Sequence, residues 1–373
     1  MRINARIILH MWCAGLFILG PVFVLAQEQA IPEMFRLKVL DITQEGERPI
    51  IGTDAKAFFQ NIRGEVLSGE KKGDTIELEN DRMRLRVGDT IFVRALEAPT
   101  GETFYTVDDV DRRNSLFFFV GLFMLLVIVF GGKQGIRALM SLAGSFFVIF
   151  YFLLPSILSG VSPLLVSAGV SIVILVIAIY FTHGLTRTST AALLGTIVTI
   201  CVTVLLALIS VRATRLSGFT DDTSVFLNFN TAGALDFQGL LLGAIIIGVL
   251  GLLDDIAITQ AAAVKEIFHV DASLSRKDVY ARALRIGKEH VGALVNTLAL
   301  AYTGAALPLL LLFYGSEASV FLIINREIFA SEIIRTMVGS IGIILAVPIT
   351  TGLAVLFLVQ KKRRDPEKGN ICA

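Results

Sequence analysis

The stretch GLLLGAIIIGVLGLLDDIAITQAAAV, residues 239–264, decides how the rest of the chain is read. Every residue in it is apolar or small except Asp254, Asp255, Thr259 and Gln260. A run of this length suffices to cross the ~20-residue thickness of a bilayer core. A carboxylate inside such a run is costly unless it is neutralised, paired or wetted, so the acids are functional candidates by default. Helical spacing separates the two. The row through Asp255 continues in Ala244, Gly248, Gly251, Thr259 and Ala262, whereas Asp254 aligns with Ile247, Leu250 and Ile258. Small and polar rows suit close helix approach or the lining of a site. Asp255 is therefore expected in the protein interior, taking up a proton or a cation, with Asp254 on a greasier face. Depth depends on register: a span over 237–258 places Asp255 about 27 Å along at 1.5 Å per residue, near one boundary, and a span over 243–264 places it at mid-membrane. An acid pair solvated at the inner headgroups is the alternative.

Outward from this stretch the composition agrees with a membrane protein. Of 373 residues 54% are hydrophobic and 17% charged, with mean hydropathy +0.74. That balance excludes a soluble enzyme. A net charge of +1 leaves no basic excess for nucleic acid, so none is expected as a partner. The apolar runs fall at 116–130, 136–154, 163–182, 189–211, 237–258, 291–313 and 333–358. Ahead of them, Arg2 and Arg6, an apolar run over 7–25 and Ala26 read as a signal peptide over 1–26, or as an uncleaved signal anchor. Residues 27–113 carry 13 Lys or Arg against 18 Asp or Glu. Strands are expected at 35–42, from Ile62, and at 75–78, 90–94 and 103–107, with a turn over Ser68–Asp74. The expected fold is a polytopic α-helical membrane protein of about seven transmembrane helices after an N-terminal signal segment, with a small extracytoplasmic β-rich domain at 27–113. The helical domain is set at 114–360 and a basic tail at 361–373.

Charge sets the orientation. The segments proposed to face inward hold fourteen Lys or Arg, among them Lys133, Arg137, Arg187, Lys265, Arg285 and Lys362, against Arg212, Arg215 and Arg326 outside. A cytoplasmic C-terminus in the cell membrane follows. The loop over 265–289 reads as an amphipathic helix on the inner leaflet, with Ser275 as its N-cap.

Three further groups stand inside or beside spans. Asn296 and Thr303 share a row on the sixth span, Gly304 lies on a neighbouring row, and Pro308 interrupts the span. Glu332 and Arg335 stand at i,i+3, close enough to pair. Gly248, Gly251, Gly304, Gly339 and Gly342 permit tight packing, and Pro348 is placed to kink the seventh span. The cysteines at 13, 201 and 372 indicate neither a disulfide nor a metal site. No phosphate loop, metalloprotease motif or nucleophile elbow occurs, so neither catalysis nor a cofactor is expected.

The blocks Gly248 to Thr259 continuing to Glu266, Asn296 to Gly304 with Pro308, and Glu332 to Thr336 with Gly339 to Gly342 and Pro348 to Thr350 resemble the YibE/F-like family of bacterial membrane proteins. The resemblance runs over roughly 60–358 and includes the strands after Gln60 and the region from Arg113 to Arg137. Asp255 falls on the family's acidic position, Thr259 stands where the family usually has Ser, and Asp254 is less typical. The resemblance implies a polytopic membrane protein and names no substrate.

The leading functional expectation is a transporter or permease for an unidentified small solute or ion. Its polar site would comprise Asp255, Asp254, Thr259, Asn296, Thr303, Glu332 and Arg335, with the glycines and prolines as moving or packing points. The other is a membrane scaffold or sensor whose β domain binds an envelope partner. Besides the lipid bilayer, a homo-oligomer is a further possible association.

Overall fold

The computed structural model describes residues 34–52, 56–97 and 103–359. The signal segment expected at 1–26 and the tail at 361–373 lie outside the described residues. Two units are distinguished, one ending at Leu126 and one beginning at Val127.

In the first unit, β1 (Met34–Pro49), β2 (Lys56–Val66), β3 (Thr75–Asn80), β4 (Thr90–Glu97) and β5 (Thr103–Val110) form an antiparallel sheet of order β3-β2-β1-β4-β5. Alternation turns Leu37, Val39, Ile62, Leu78, Ile91, Val93 and Val107 into one core. β1 serves two neighbours. It pairs with β4 over Met34 to Lys38 and with β2 from Leu37 onward, and irregularities after Val39 and Ile42 bend it between them. The edge strands β3 and β5 approach each other, so the sheet curls into a small barrel. At Gly64 a Cβ would overlap the Leu37 side chain, so only glycine lets β1 lie this close. The buried amides Gln60 and Asn80 hold the segment after β3: Gln60 Oε1 accepts from the Leu85 amide at 2.9 Å, and its Nε2 donates to the Leu85 carbonyl at 3.1 Å. Satisfied in this way, a buried side-chain amide fixes a loop that carries no regular structure.

Every expected strand is present, and β1 and β2 are longer than their alternation suggested. The turn over Ser68–Asp74 bends at Gly69 and Gly73, both in the left-handed region at φ 92° and 96°.

At the end of β5, Asp111 accepts from Arg113 Nε and Nη2 at 2.7 and 2.6 Å, and Arg36 lies 3.7 Å away. These partners, led by the Arg113 hydrogen bonds, hold its carboxyl at about 2 against an ordinary 3.8. A carboxyl lowered in the folded chain favours folding above its ordinary value and loses that contribution as pH falls toward the folded one. Between pH 4 and pH 2, amide exchange in β4 and β5 is expected to accelerate more in the native chain than in Asp111→Asn. Equal acceleration would show that the cluster does not set acid stability.

The second unit is helical. After α1 (Arg113–Val148), which begins in the first unit, come one π-helical turn over Ile149–Leu153, α2 (Leu154–Leu158), α3 (Pro163–His183), α4 (Arg187–Thr214) and α5 (Asp222–Asn230). There follow α6 (Phe237–Val270), α7 (Arg276–Ala305), α8 (Leu307–Tyr314), α9 (Val320–Ile324) and α10 (Glu327–Leu358). Among the described residues five helical stretches are long and apolar enough to cross a membrane, or six if α7 and α8, bent by 65°, form one span. The chain is a membrane protein.

The runs expected at 116–130 and 136–154 lie in one helical stretch, Arg113–Leu158. It is not a straight rod. Gly132 leaves the helical region at φ 53°, ψ −134°, and a Cβ at Gly135 would overlap the carbonyl oxygen of Val127. In an unbroken helix residues 127 and 135 stand about 12 Å apart, so the chain turns back at Gly132.

The surface helix expected within 265–289 is a correction. α6 continues to Val270 and α7 begins at Arg276, leaving only residues 271–275 between them. Ser275 does cap α7, accepting from the Asp278 amide at 3.2 Å. The charged segment stays in α7 because Val279, Ala283 and Gly287 are buried, the first two in a cluster with Ala257, Ala261 and Ala354.

α4, α6 and α10 form the centre of this unit. A Cβ at Gly195 would overlap the Thr350 hydroxyl and lie 2.9 Å from the Thr350 Cα, and one at Gly342 would lie 2.7 Å from the Thr203 hydroxyl. Thr199 and Thr203 donate to carbonyls one turn back in α4, at 2.8 and 2.9 Å, so their methyl and backbone surfaces pack without orphaned hydroxyls.

Candidate functional site

α6 carries both acids, and its burial pattern decides which one faces protein. Ala244, Gly248, Gly251, Asp255, Thr259 and Ala262 are exposed, whereas Leu250, Leu253, Ile256, Ala257, Gln260 and Ala261 are buried. The row expected to face inward faces out, and Asp255 goes with it. Asp254 is half-buried, and its Oδ1 is enclosed without a hydrogen-bond partner among the described residues. The correction has a packing cause: α6 owns a second small-residue row. Asp254 shares it with Gly243, whose missing side chain admits Ser167 of α3, and with Ala257 and Ala261, which cluster with Ala191 and Ala192 of α4.

The same contacts fix the level of the pair along α3. Gly239 meets Pro163 and Gly243 meets Ser167, so α3 and α6 run parallel and in step. Counted from Gly239 at about 1.5 Å per residue, Asp255 lies about 24 Å along, one helical turn short of the level of His183, where α3 ends. His183 is near enough to interact electrostatically with Asp255. The pair therefore sits inside the apolar length of α3 but close to one end, not at its middle.

The Thr259 hydroxyl donates to the Asp255 carbonyl at 2.7 Å, which keeps it on the outward row. Asn296 and Thr303 are exposed on α7, with the Thr303 hydroxyl donating to the Ala299 carbonyl at 2.8 Å. Among the described residues no hydrogen bond joins either of them to the acids.

A second polar group gathers nearer the start of α6. Arg335 Nη1 donates to Glu332 Oε1 at 2.8 Å, as their i,i+3 spacing implied. The Arg335 guanidinium lies 6.0 Å from the Tyr302 ring centroid, and a Cβ at Gly248 would lie 2.6 Å from the Tyr302 hydroxyl. Gly248, Tyr302, Glu332 and Arg335 thus meet where α6, α7 and α10 converge. Gly339 packs against Val249 and Leu298, at 2.6 and 3.1 Å from a built Cβ. Among the described residues a Cβ at Gly251 or Gly304 meets nothing within 4 Å, so neither is a packing point there. Pro308 stands in the first turn of α8, just past the bend at Ala306, and Pro348 lies within α10, which continues as one helix through it.

Two features escaped sequence reasoning. Gln260 is fully buried and accepts from the Thr351 hydroxyl at 3.0 Å, tying α6 to α10. At the start of α10, Glu327 Oε1 accepts from the Ser217 and Gly218 amides, both at 2.7 Å, and from the Ser217 hydroxyl at 2.8 Å. These partners lie more than a hundred residues apart in sequence, so no local pattern announces them. Such hydrogen bonds are worth roughly 0.5–3 kcal/mol each, the more the greater the charge on the acceptor. Glu327→Ala is accordingly expected to speed amide exchange at Ser217 and Gly218 while leaving the α4 interior protected. Unchanged exchange there would show that the contact does not hold the loop.

Among the described residues no group of three His, Cys, Asp or Glu could hold a metal ion, and Cys201 is free and exposed. A family model described as YibE/F-like protein matches residues 119–360, from within α1 to beyond α10. The strands that shared in the resemblance precede that match. No curated protein and no solved structure matches the chain.

Proposed function

The chain belongs to the YibE/F-like family, and for this member we propose an ion-coupled membrane transporter in which the acids of α6 carry a proton or a cation. The observation that supports it most is the Asp254 carboxyl, with one oxygen enclosed inside an apolar bundle and unpartnered among the described residues. Such a carboxyl is costly unless a proton or a cation neutralises it. Asp255, next to it on the exposed row, gives that group a neighbour reachable from outside the bundle. Ions would pass between the outward row and Asp254, and the bend between α7 and α8 and the glycine contacts of α6 with α7 would supply the movement.

In this reading the chain crosses the cell membrane seven times. The turn at Gly132 divides the first stretch into two spans, and α7 with α8 counts as one. The barrel faces outward, and the acids lie one turn from the cytoplasmic boundary. The protein is not an enzyme. Its partners are the bilayer and a small solute.

The test is proton entry into proteoliposomes that hold the purified chain and an entrapped pH indicator, under an imposed gradient with the potential clamped. Protein-dependent entry stimulated by an added solute is expected. Entry no faster than in protein-free vesicles for every solute, together with a stoichiometric envelope protein cross-linked to the barrel, would replace this reading with a scaffold or sensor.

A further inference from the structure

A cavity of about 210 Å³ lies near the start of α6, lined by Arg335, Asp221, Thr220 and Thr223 among its polar residues and by Leu241 and Ala244 among its apolar ones. Its two charged groups have unused bonding capacity. A guanidinium presents five N–H donors, of which Arg335 spends one on Glu332 among the described residues. Asp221 uses Oδ1 to cap α5, accepting from the Ser224 amide at 2.8 Å and hydroxyl at 3.0 Å. Among the described residues its Oδ2 has no hydrogen-bond or ion-pair partner. The hydroxyls of Thr220 and Thr223 are likewise uncommitted among the described residues.

We infer that this cavity binds a small zwitterion of the α-amino-acid type with a short aliphatic side chain. The inference rests on the transporter reading and names its solute. The guanidinium fork suits a carboxylate. The free oxygen of Asp221 and the threonine hydroxyls suit an ammonium group, and Leu241 and Ala244 suit a few methyl or methylene groups. A simple anion would meet Asp221 and a simple cation would meet Arg335, so each lone charge is opposed where the pair is accommodated. The size allows it: at about 30 Å³ for each water the cavity has room for about seven, enough for a small amino acid together with some water. The site shares one helix row with Asp255. Ala244 belongs to the exposed row of α6 that continues through Gly248 and Gly251 to Asp255, about 17 Å further along the helix.

The experiment is equilibrium binding of radiolabelled L-alanine to the purified full chain in lipid nanodiscs, with acetate and ethylamine as competitors carrying one charge each. Alanine is expected to bind saturably, with either competitor at least about tenfold weaker. Arg335→Gln is expected to weaken alanine binding by at least about tenfold, and Asp221→Asn to weaken alanine while strengthening acetate. Ala244→Phe, which fills the cavity and leaves both charges in place, is expected to abolish binding in protein whose melting temperature is unchanged. Acetate binding as tightly as alanine, or alanine binding indifferent to Ala244→Phe, would overturn the assignment. Absence of alanine binding in a preparation that still shows Asp254-dependent proton entry would overturn it too and leave the transporter reading standing.

Discussion

Asparagine in place of Asp254 is expected to reduce proton-driven flux to the protein-free background while the chain still inserts and melts normally. The substitution keeps shape and polarity but removes the group that can gain and lose a proton. Its folded-state cost is small, because an amide in this enclosure replaces a carboxyl whose Oδ1 already lacks a partner among the described residues. Asp255→Asn is expected to do less, slowing flux without uncoupling it, since Asp255 stands on the exposed row and serves as an approach to its neighbour. The two substitutions differ by one position and by about 100° around α6, so together they separate an interior site from a surface one. Full coupling in Asp254→Asn with loss in Asp255→Asn would return the coupling role to the outward acid.

Valine in place of Gly195 is expected to destabilise the helical unit by about 3 kcal/mol, the upper end of the overpacking range. A Cβ there would overlap the Thr350 hydroxyl and stand 2.9 Å from the Thr350 Cα. Helix propensity argues the other way, since glycine is disfavoured in a helix interior by about 1 kcal/mol relative to alanine. Close approach decides because α4 and α10 cannot separate without opening the cluster at Ile200, Ile246 and Ile343 on which α6 also rests. The measurement is the thermal midpoint of the purified protein in detergent, expected to fall by several degrees. Adding Thr350→Ala is expected to recover part of the loss. An unchanged midpoint for Gly195→Val would show that the two helices are not held at this distance.

Much of the architecture was legible in the sequence because its signals are local. Apolar runs give the helices, and Gly69, Gly73 and Gly88 punctuate strands whose alternation places Leu37, Ile62 and Ile91 inside. The Ser275 cap and the Glu332–Arg335 pair depend on neighbours three residues away, and both are present. What local pattern cannot decide is which of two small-residue rows on a helix meets its neighbours. α6 has one row through Gly248, Gly251 and Asp255 and another through Gly243, Ala257 and Ala261. The second has buried partners prepared for it, in Ser167 of α3 and in Ala191 and Ala192 of α4, whereas the first meets Tyr302 of α7 at Gly248 and otherwise stays exposed. Choosing between the rows takes the faces of three helices at once, and so the two adjacent acids were assigned to each other's sides. The acceptance of Ser217 and Gly218 by Glu327 was illegible for the same reason. The charged segment from Arg276 was misplaced for a different one. Its hydrophilic residues suggest a membrane surface, yet Val279 and Ala283 continue the buried face of the helix that follows.

The most direct measurement is covalent labelling of the purified chain in lipid by a hydrophobic carbodiimide, which reacts with protonated carboxyls in apolar surroundings, mapped by peptide mass spectrometry. If Asp254 holds a proton within the bundle, the peptide that contains it is labelled at neutral pH, labelling declines as the medium is made alkaline, and Asp254→Asn removes it while Asp255→Asn does not. Labelling absent from this peptide at every pH, or unchanged in Asp254→Asn, would contradict a proton-carrying acid at position 254 and with it the coupling assigned to α6.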